Sequence, residues 1–331
     1  METGSTIVGL GRYVPEHVLT NDVLAVTVNT TNEWIRSHTG IEERRIAEAG
    51  EATSDLALGA AKEALEAAGV GPSDLDLIIV GTATPDMSFP NVSCLLQERL
   101  GTRTVGCLDV SSACSSFVYA LSVAHGAIVS GQAQTVLVVG ADTLSRITNW
   151  RDRSTCVLFG DASGAAVLRP AKQGSGFLSF ALGGCGEGRH HLNLKAGGSR
   201  LPASHETVER GDHYLSMNGP EVYKFAVQTM PKAAAEALRR AHLAAEDLAF
   251  VIPHQANLRI IHSVAVRLGV SMDKFFVNVQ RYGNTSAASI PVALYEAVQA
   301  GRVRVGDLGV MVAFGAGYTW GACTIRWGGA A

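Results

Sequence analysis
Two kinds of apolar pattern alternate along the chain. Leu77–Val80, Thr135–Gly140 and Ala165–Leu168 are short, nearly continuous apolar runs. Runs of that kind are the pattern of strands buried on both faces. Thr6–Leu10 is a further apolar strand, ending in what reads as a Gly9-Leu10-Gly11 turn. Between the runs, Thr53–Ala68 carries Leu56, Ala60, Ala64 and Leu65 at helical spacing. Thr31–Ile35 reads as a capped helix start, where a Thr or Asn oxygen meets the first-turn amides. Strands that alternate with helices predict parallel sheets covered by helices, an α/β fold.

The pattern also repeats. Ala61–Val80 (AKEALEAAGVGPSDLDLIIV) aligns without a gap on Ala234–Pro253 (AAEALRRAHLAAEDLAFVIP), with eight of twenty positions identical. At the same offset, Ala113 and Cys114 fall on Ser286 and Ala287, and Val136–Val139 has its counterpart in Val310–Val312. A helix, an Asp-Leu pair and an apolar strand in one register point to duplication. The expected halves are 1–172 and 173–331.

Composition narrows the class. The chain has 331 residues, 47% of them apolar, and a net charge of −3 without a run of either sign. Nothing predicts nucleic-acid binding or a polybasic membrane patch, and no apolar stretch is long enough to span a bilayer. The first residues lack a basic, then apolar, signal sequence. Six scattered cysteines without a CxxC pair argue against a zinc site and a disulfide framework. A cytoplasmic protein is expected. Gly183–Gly188 lacks the lysine and the strand–helix setting of a phosphate loop and reads as a surface loop. His190-His191 has no support as a metal site.

Candidate chemistry lies at strand ends. Cys114 sits in Asp109-Val-Ser-Ser-Ala-Cys-Ser-Ser-Phe117, between a strand read at Thr104–Val110 and a helix read at Phe117–Val129. A helix N-terminus favours the thiolate, the nucleophilic form. In the second half, His254 follows the strand of Val251-Ile-Pro-His-Gln-Ala-Asn257, and Asn284 precedes a helix start. Gly315–Gly321 is a glycine-rich turn whose amides can approach a ligand. Strands ending at corresponding places would bring these loops to one crevice. Taken singly, each also fits an ordinary role: an inert buried thiol, a hydrogen-bonded core histidine, a turn asparagine.

The motifs DVSSACSSF, PHQANLRII, RYGNTSAASIP and FGAGYTWG, in that order, resemble the condensing enzymes of the thiolase fold. They are most similar to the β-ketoacyl-acyl carrier protein synthase III family, over Gly9 to Trp327. The resemblance implies a five-layered αβαβα fold, internally duplicated. It implies Cys114 as nucleophile, His254 and Asn284 as its partners, and the backbone N–H groups of Cys114 and Ala316 as the oxyanion hole. It further implies that Trp34 and Arg153 sandwich the CoA adenine and that Asn257 lines the pantetheine tunnel. Phe89 would close the acyl pocket of a second copy in a homodimer. Lys224, Arg259 and Arg267 would form a basic rim for the acidic acyl carrier protein. The implied reaction is decarboxylative Claisen condensation of an acyl-CoA with malonyl-acyl carrier protein, starting fatty-acid synthesis, with no metal or redox cofactor. The alternative is a sister ketosynthase of polyketide or other secondary metabolism. A catalytically silent partner subunit is disfavoured by the intact Cys-His-Asn set. A degradative thiolase, a class with a second cysteine late in the chain, is disfavoured because Cys323 follows Trp320-Gly-Ala and not the glycine-rich turn. His38, Ser116 and Pro220 depart from the usual pattern. The apolar Leu77–Val80 run and the Phe89 loop are further reasons to expect a dimer.

Overall fold
The computed structural model describes residues 4–329. Nine strands build two sheets. The first contains β1 (Ser5–Tyr13), β2 (Leu77–Gly81), β3 (Gly106–Val110), β4 (Val136–Thr143) and β5 (Asp161–Pro170), in the order β1-β5-β4-β2-β3. The second contains β6 (Gly176–Gly184), β7 (Phe250–Pro253), β8 (Leu308–Gly315) and β9 (Thr319–Arg326), in the order β6-β9-β8-β7. The orders superimpose: β6 stands for β1, β9 for β5, β8 for β4 and β7 for β2. The counterpart of β3 has shrunk to a single parallel bridge between Val251 and Phe275. Even the small turn before the strand recurs. Asp74 Oδ2 accepts the Gly71 N–H at 2.9 Å, and Asp247 Oδ2 accepts the Ala244 N–H at 2.8 Å.

The principal helices are α1 (Asn32–Thr39), α2 (Thr53–Ala68), α3 (Val92–Leu100), α4 (Ser116–Val129), α5 (Gly219–Arg240), α6 (Leu258–Leu268) and α7 (Ser289–Gln299). Three apolar cores join five layers, the central one enclosing the middle helices on both their faces. Ile79, Val136 and Val138 of the first sheet and Ile252, Met311 and Ile325 of the second share one core with Phe117, Leu121, Ile290 and Leu294 of α4 and α7. The alternate residues Ile78, Val80, Leu137 and Val139 face outward into a core with α2. Val251, Val310 and Val312 do the same toward α5 and α6. Successive strand residues point to opposite faces, so covering both faces requires the unbroken apolar runs seen in the sequence.

Three expectations need correction. The sheets are mixed: β2 runs parallel to β3 and β4, but β5 is antiparallel to both β1 and β4. No long crossover helix lies between β4 and β5, only a four-residue one at Arg153–Cys156, so the chain returns antiparallel. An apolar run buried on both faces looks the same in either direction. Gly9 and Gly11 do not turn the chain. They lie inside β1, where a Cβ would collide with the α2 backbone at Ala64 and Ala60. Leu77–Gly81 is an interior strand, so it offers no edge to a partner; the edge strands of the first sheet are β1 and β3.

Candidate active site
β3 ends at Val110, and Ala113–Ser115 makes a tight turn into α4. Ala113 takes the left-handed φ of 48°, which throws Cys114 out at the helix start. The glycine-rich turn packs directly on this bend: a Cβ on Gly315 would lie 2.8 Å from the Cys114 nitrogen and the Ser112 oxygen. Only glycine lets the two backbones meet there, and Ala316 then lines the same cavity as Cys114.

His254 follows β7 directly, its N–H donating to Val312 O of β8 at 2.8 Å. Its ring is buried, with the Phe314 ring edge-on at 5.6 Å between centroids. Nδ1 lies 2.6 Å from Ser289 Oγ. Nε2 is buried without a hydrogen-bond partner. Asn284 is held at its backbone, donating to Leu158 O at 2.8 Å and accepting from Gly160 N–H at 3.1 Å. Its Oδ1 accepts the Ser286 N–H at 2.9 Å, which assigns the amide and leaves Nδ2 as the free donor.

Cys114, His254, Asn284, Ser286, Phe314 and Ala316 line one cavity of about 630 Å³. Burial holds the His254 imidazole neutral, its pKa lowered to about 3. Burial also pushes the Cys114 thiol up to about 12; a Ser286 hydrogen bond opposes this and the Asp142 carboxylate adds to it. This direction runs against the thiolate expected from the helix N-terminus. Desolvation of a charge outweighs the helix end, whose influence is partial and short-ranged. Asp142 itself is fully buried, and burial raises its pKa. Its Oδ1 accepts from the Thr82 and Thr84 hydroxyls and the Ala83 and Thr84 amides, and Oδ2 accepts from the Ala287 amide at 3.0 Å. The carboxylate thus ties the end of β2 to the turn that carries Ser286.

The mouth of the cavity holds Trp34, His38, Asn257 and Arg259. The Arg153 guanidinium sits over the Trp34 ring at 4.8 Å, and the His38 ring stacks on Trp34 at 4.4 Å. Asn257 caps α6 through the Arg259 N–H at 2.8 Å and donates to His38 O at 3.1 Å. Arg259 Nε donates to Ser37 O at 3.1 Å. Lys224 and Arg267 are exposed and outside the cavity wall. Phe89 is 83% exposed and does not line this chain's cavity. Sequence reasoning missed Ser286, Ser289, Phe314 and Asp142 as site residues. The first three lay within quoted motifs, but nothing in their spacing separated them from packing residues.

Cys114 from one half meets His254 and Asn284 from the other across a duplicated five-layered scaffold, the arrangement of a thiolase-fold condensing enzyme, an acyltransferase. Family models described as 3-oxoacyl-[acyl-carrier-protein] synthase III and its C-terminal region match residues 108–186 and 238–327. The chain belongs to the β-ketoacyl-[acyl-carrier-protein] synthase III family. It is 54% identical to the synthase III of Symbiobacterium thermophilum over 97% of this chain and 98% of that protein. The solved structure of the Thermus thermophilus synthase III matches with a TM-score of 0.92 at 47% identity, covering 98% of this chain and 99% of that one. The priming β-ketosynthase of the R1128 polyketide pathway matches with a TM-score of 0.90 at 36% identity, over 98% and 96% of the two chains.

Proposed function
We propose that this chain condenses an acyl-CoA with malonyl-acyl carrier protein, releasing CO2 and forming a 3-oxoacyl-acyl carrier protein that starts fatty-acid synthesis. The observation that carries the reading is the single cavity holding Cys114 beside two oriented donors, His254 and Asn284. Cys114 Sγ attacks the acyl thioester, its proton leaves with the CoA thiol, and an acyl-enzyme remains. The Cys114 and Ala316 amides act as the oxyanion hole for the tetrahedral oxygen. Malonyl-acyl carrier protein then loses CO2, and the electron pair moves onto its thioester oxygen. His254 Nε2–H and Asn284 Nδ2–H hold that enolate oxygen. The carbanion attacks the acyl-Cys carbonyl, and collapse of the adduct expels the Cys114 sulfur, which is reprotonated. A neutral donor suits this task better than a carboxylate, which would repel the enolate. The proposed chemistry calls on no metal or redox cofactor.

At the mouth, the adenine ring slides between Trp34 and Arg153, which means parting the present cation–π contact. Asn257 lines the path of the pantetheine arm. Lys224, Arg259 and Arg267 present exposed positive charge to an acidic carrier protein. The halves 1–172 and 173–331 divide the work, one carrying the nucleophile and the other the donors. The protein works as a homodimer, supported by the open β3 edge, by Leu108 on it at 40% exposure, and by the bare Phe89 ring, which reaches a second copy's acyl pocket. It acts in the cytoplasm, a reading supported by six free cysteines. Among the described residues no helix is long and apolar enough to cross a membrane.

Intact-protein mass spectrometry after exposure to acyl-CoAs tests the reading. A short acyl group should appear on Cys114, and Arg153→Ala should raise KM for the acyl-CoA while leaving the later condensation nearly unchanged, because the adenine contact is remote from the reacting carbon. Loading only from an acyl carrier protein, never from CoA, would reject the CoA-fed reading.

A further inference from the structure
His254 can donate to an enolate only if its single proton is on Nε2, and burial alone does not choose between the two ring nitrogens. The hydrogen-bond pattern around Ser289 does. Ser289 opens α7, and its Oγ meets two groups: the Gln255 N–H, which it accepts at 3.4 Å, and His254 Nδ1 at 2.6 Å. Among the described residues Ser289 Oγ has no carbonyl or carboxylate oxygen within hydrogen-bond reach, so Nδ1 is the one acceptor open to its hydroxyl hydrogen. Nδ1 is then an acceptor and carries no proton, so the proton of the neutral ring resides on Nε2. The frame that holds this contact is tight. Gln255 Nε2 donates to Pro253 O at 2.8 Å and Phe276 O at 3.1 Å, and its Oε1 accepts the Asn278 and Val279 amides at 3.0 and 3.2 Å. The Phe314 ring fixes the imidazole plane from the side. Nε2 is the one polar atom of the ring left without a protein partner, and the ring lines the cavity that also holds Cys114 and Asn284.

We propose that Ser289 is a positioning residue that, by donating to Nδ1, fixes the His254 proton on Nε2 and so makes the imidazole an enolate-oxygen donor. The proposal rests on the condensing function above and deepens it. Loss of this hydroxyl falls on malonyl decarboxylation and spares acyl loading, because attack by Cys114 on an acyl-CoA does not use the enolate donor.

The direct test is ¹⁵N NMR of the histidine-labelled wild-type protein, with His254→Gln to assign the signal. A bare Nδ1 with a protonated Nε2 is expected; a protonated Nδ1 overturns the proposal. That arm needs no altered variant to fold, and it stands whether or not the wild type decarboxylates malonyl-acyl carrier protein, a failure that would sink the functional reading instead. The kinetic arm compares Ser289→Ala with Ser289→Thr, which keeps a hydroxyl. In Ser289→Ala the two tautomers should mix and kcat for decarboxylation should fall about tenfold or more, with the rate of Cys114 acylation and KM for acyl-CoA held. Ser289→Thr should recover most of the loss. An unchanged Nε2–H signal in Ser289→Ala, or equal losses in loading and decarboxylation, overturns the proposal.

Discussion

Ala113 and Ser286 stand one repeat apart and adopt the same left-handed backbone, at φ 48° and 50°. Each opens a three-residue turn that starts a helix of the central layer. Such a conformation costs a non-glycine residue about 1–3 kcal/mol and persists where the surroundings enforce it. In the first half the bend places Cys114 at the helix start, lining the cavity. In the second, the residue aligned with that thiol is Ala287, and the Ser286 amide instead fixes the Asn284 side chain. The same bend thus sets Cys114 in one half and Asn284 in the other against a shared cavity.

The two half-reactions should come apart by mutation. Cys114→Ala should abolish acyl transfer yet keep decarboxylating malonyl-acyl carrier protein, because both enolate donors remain. His254→Ala and Asn284→Ala should each lower decarboxylation by about 10²–10³, the usual cost of one oxyanion donor, while still accepting an acyl group. Release of labelled CO2 beside mass-spectrometric acylation reads both. Full decarboxylation by His254→Ala would refute its role.

The Cys114 thiol, held up to about 12 by burial, should be protonated at rest near neutral pH. Its rate of alkylation by iodoacetamide should therefore climb about tenfold per pH unit from pH 7 to 10, because the thiolate fraction does so below the pKa. The exposed thiol of Cys94 should label first near neutrality. Peptide mapping of a pH series checks both, and a plateau in Cys114 labelling below pH 8 would mean a resting thiolate.

His254 should make the fold acid-sensitive. Its native pKa of about 3 lies below the usual 6.5. Between those values the unfolded chain binds a proton that the native chain does not, so stability falls as pH drops from 6.5 toward 3. The slope from this one group is about 1.4 kcal/mol per pH unit. His254→Gln removes it. Urea melts across that range should show the wild type losing ground to the variant as pH falls; parallel curves would contradict a buried neutral imidazole.

The homodimer should form through β3. Light scattering should report twice the chain mass of 34.7 kDa, and Leu108→Asp should shift the protein toward monomer with loss of activity. Full activity in a monomeric Leu108→Asp would refute the role given to Phe89.

Much of this was legible in the sequence, and unevenly. Thr53–Ala68 is a helix with those bounds because its small and aliphatic stripe meets β1 and β5, and the aligned Asp74 and Asp247 turns betrayed the duplication. Strand direction was not legible, since Leu77–Gly81 and Asp161–Pro170 are buried on both faces yet run in opposite senses relative to β4. Cys114, His254 and Asn284 stood out through their motifs, and the structure brings them to one cavity. A helix start is visible in sequence, whereas the burial that pushes the thiol up, and the Asp142 charge that adds to it, depend on residues brought in from elsewhere in the chain. Ser289 was silent for the same reason: its partner lies 35 positions away.

The helices of the middle layer belong to neither half alone. Phe117 and Leu121 of α4 and Ile290 and Leu294 of α7 are fully wrapped only because a sheet lies on each side. A half-length ancestor would have worn that greasy surface on its outside, and would have been obliged to live as a pair. With both copies in one chain, each sheet permanently covers the helices that the other leaves bare.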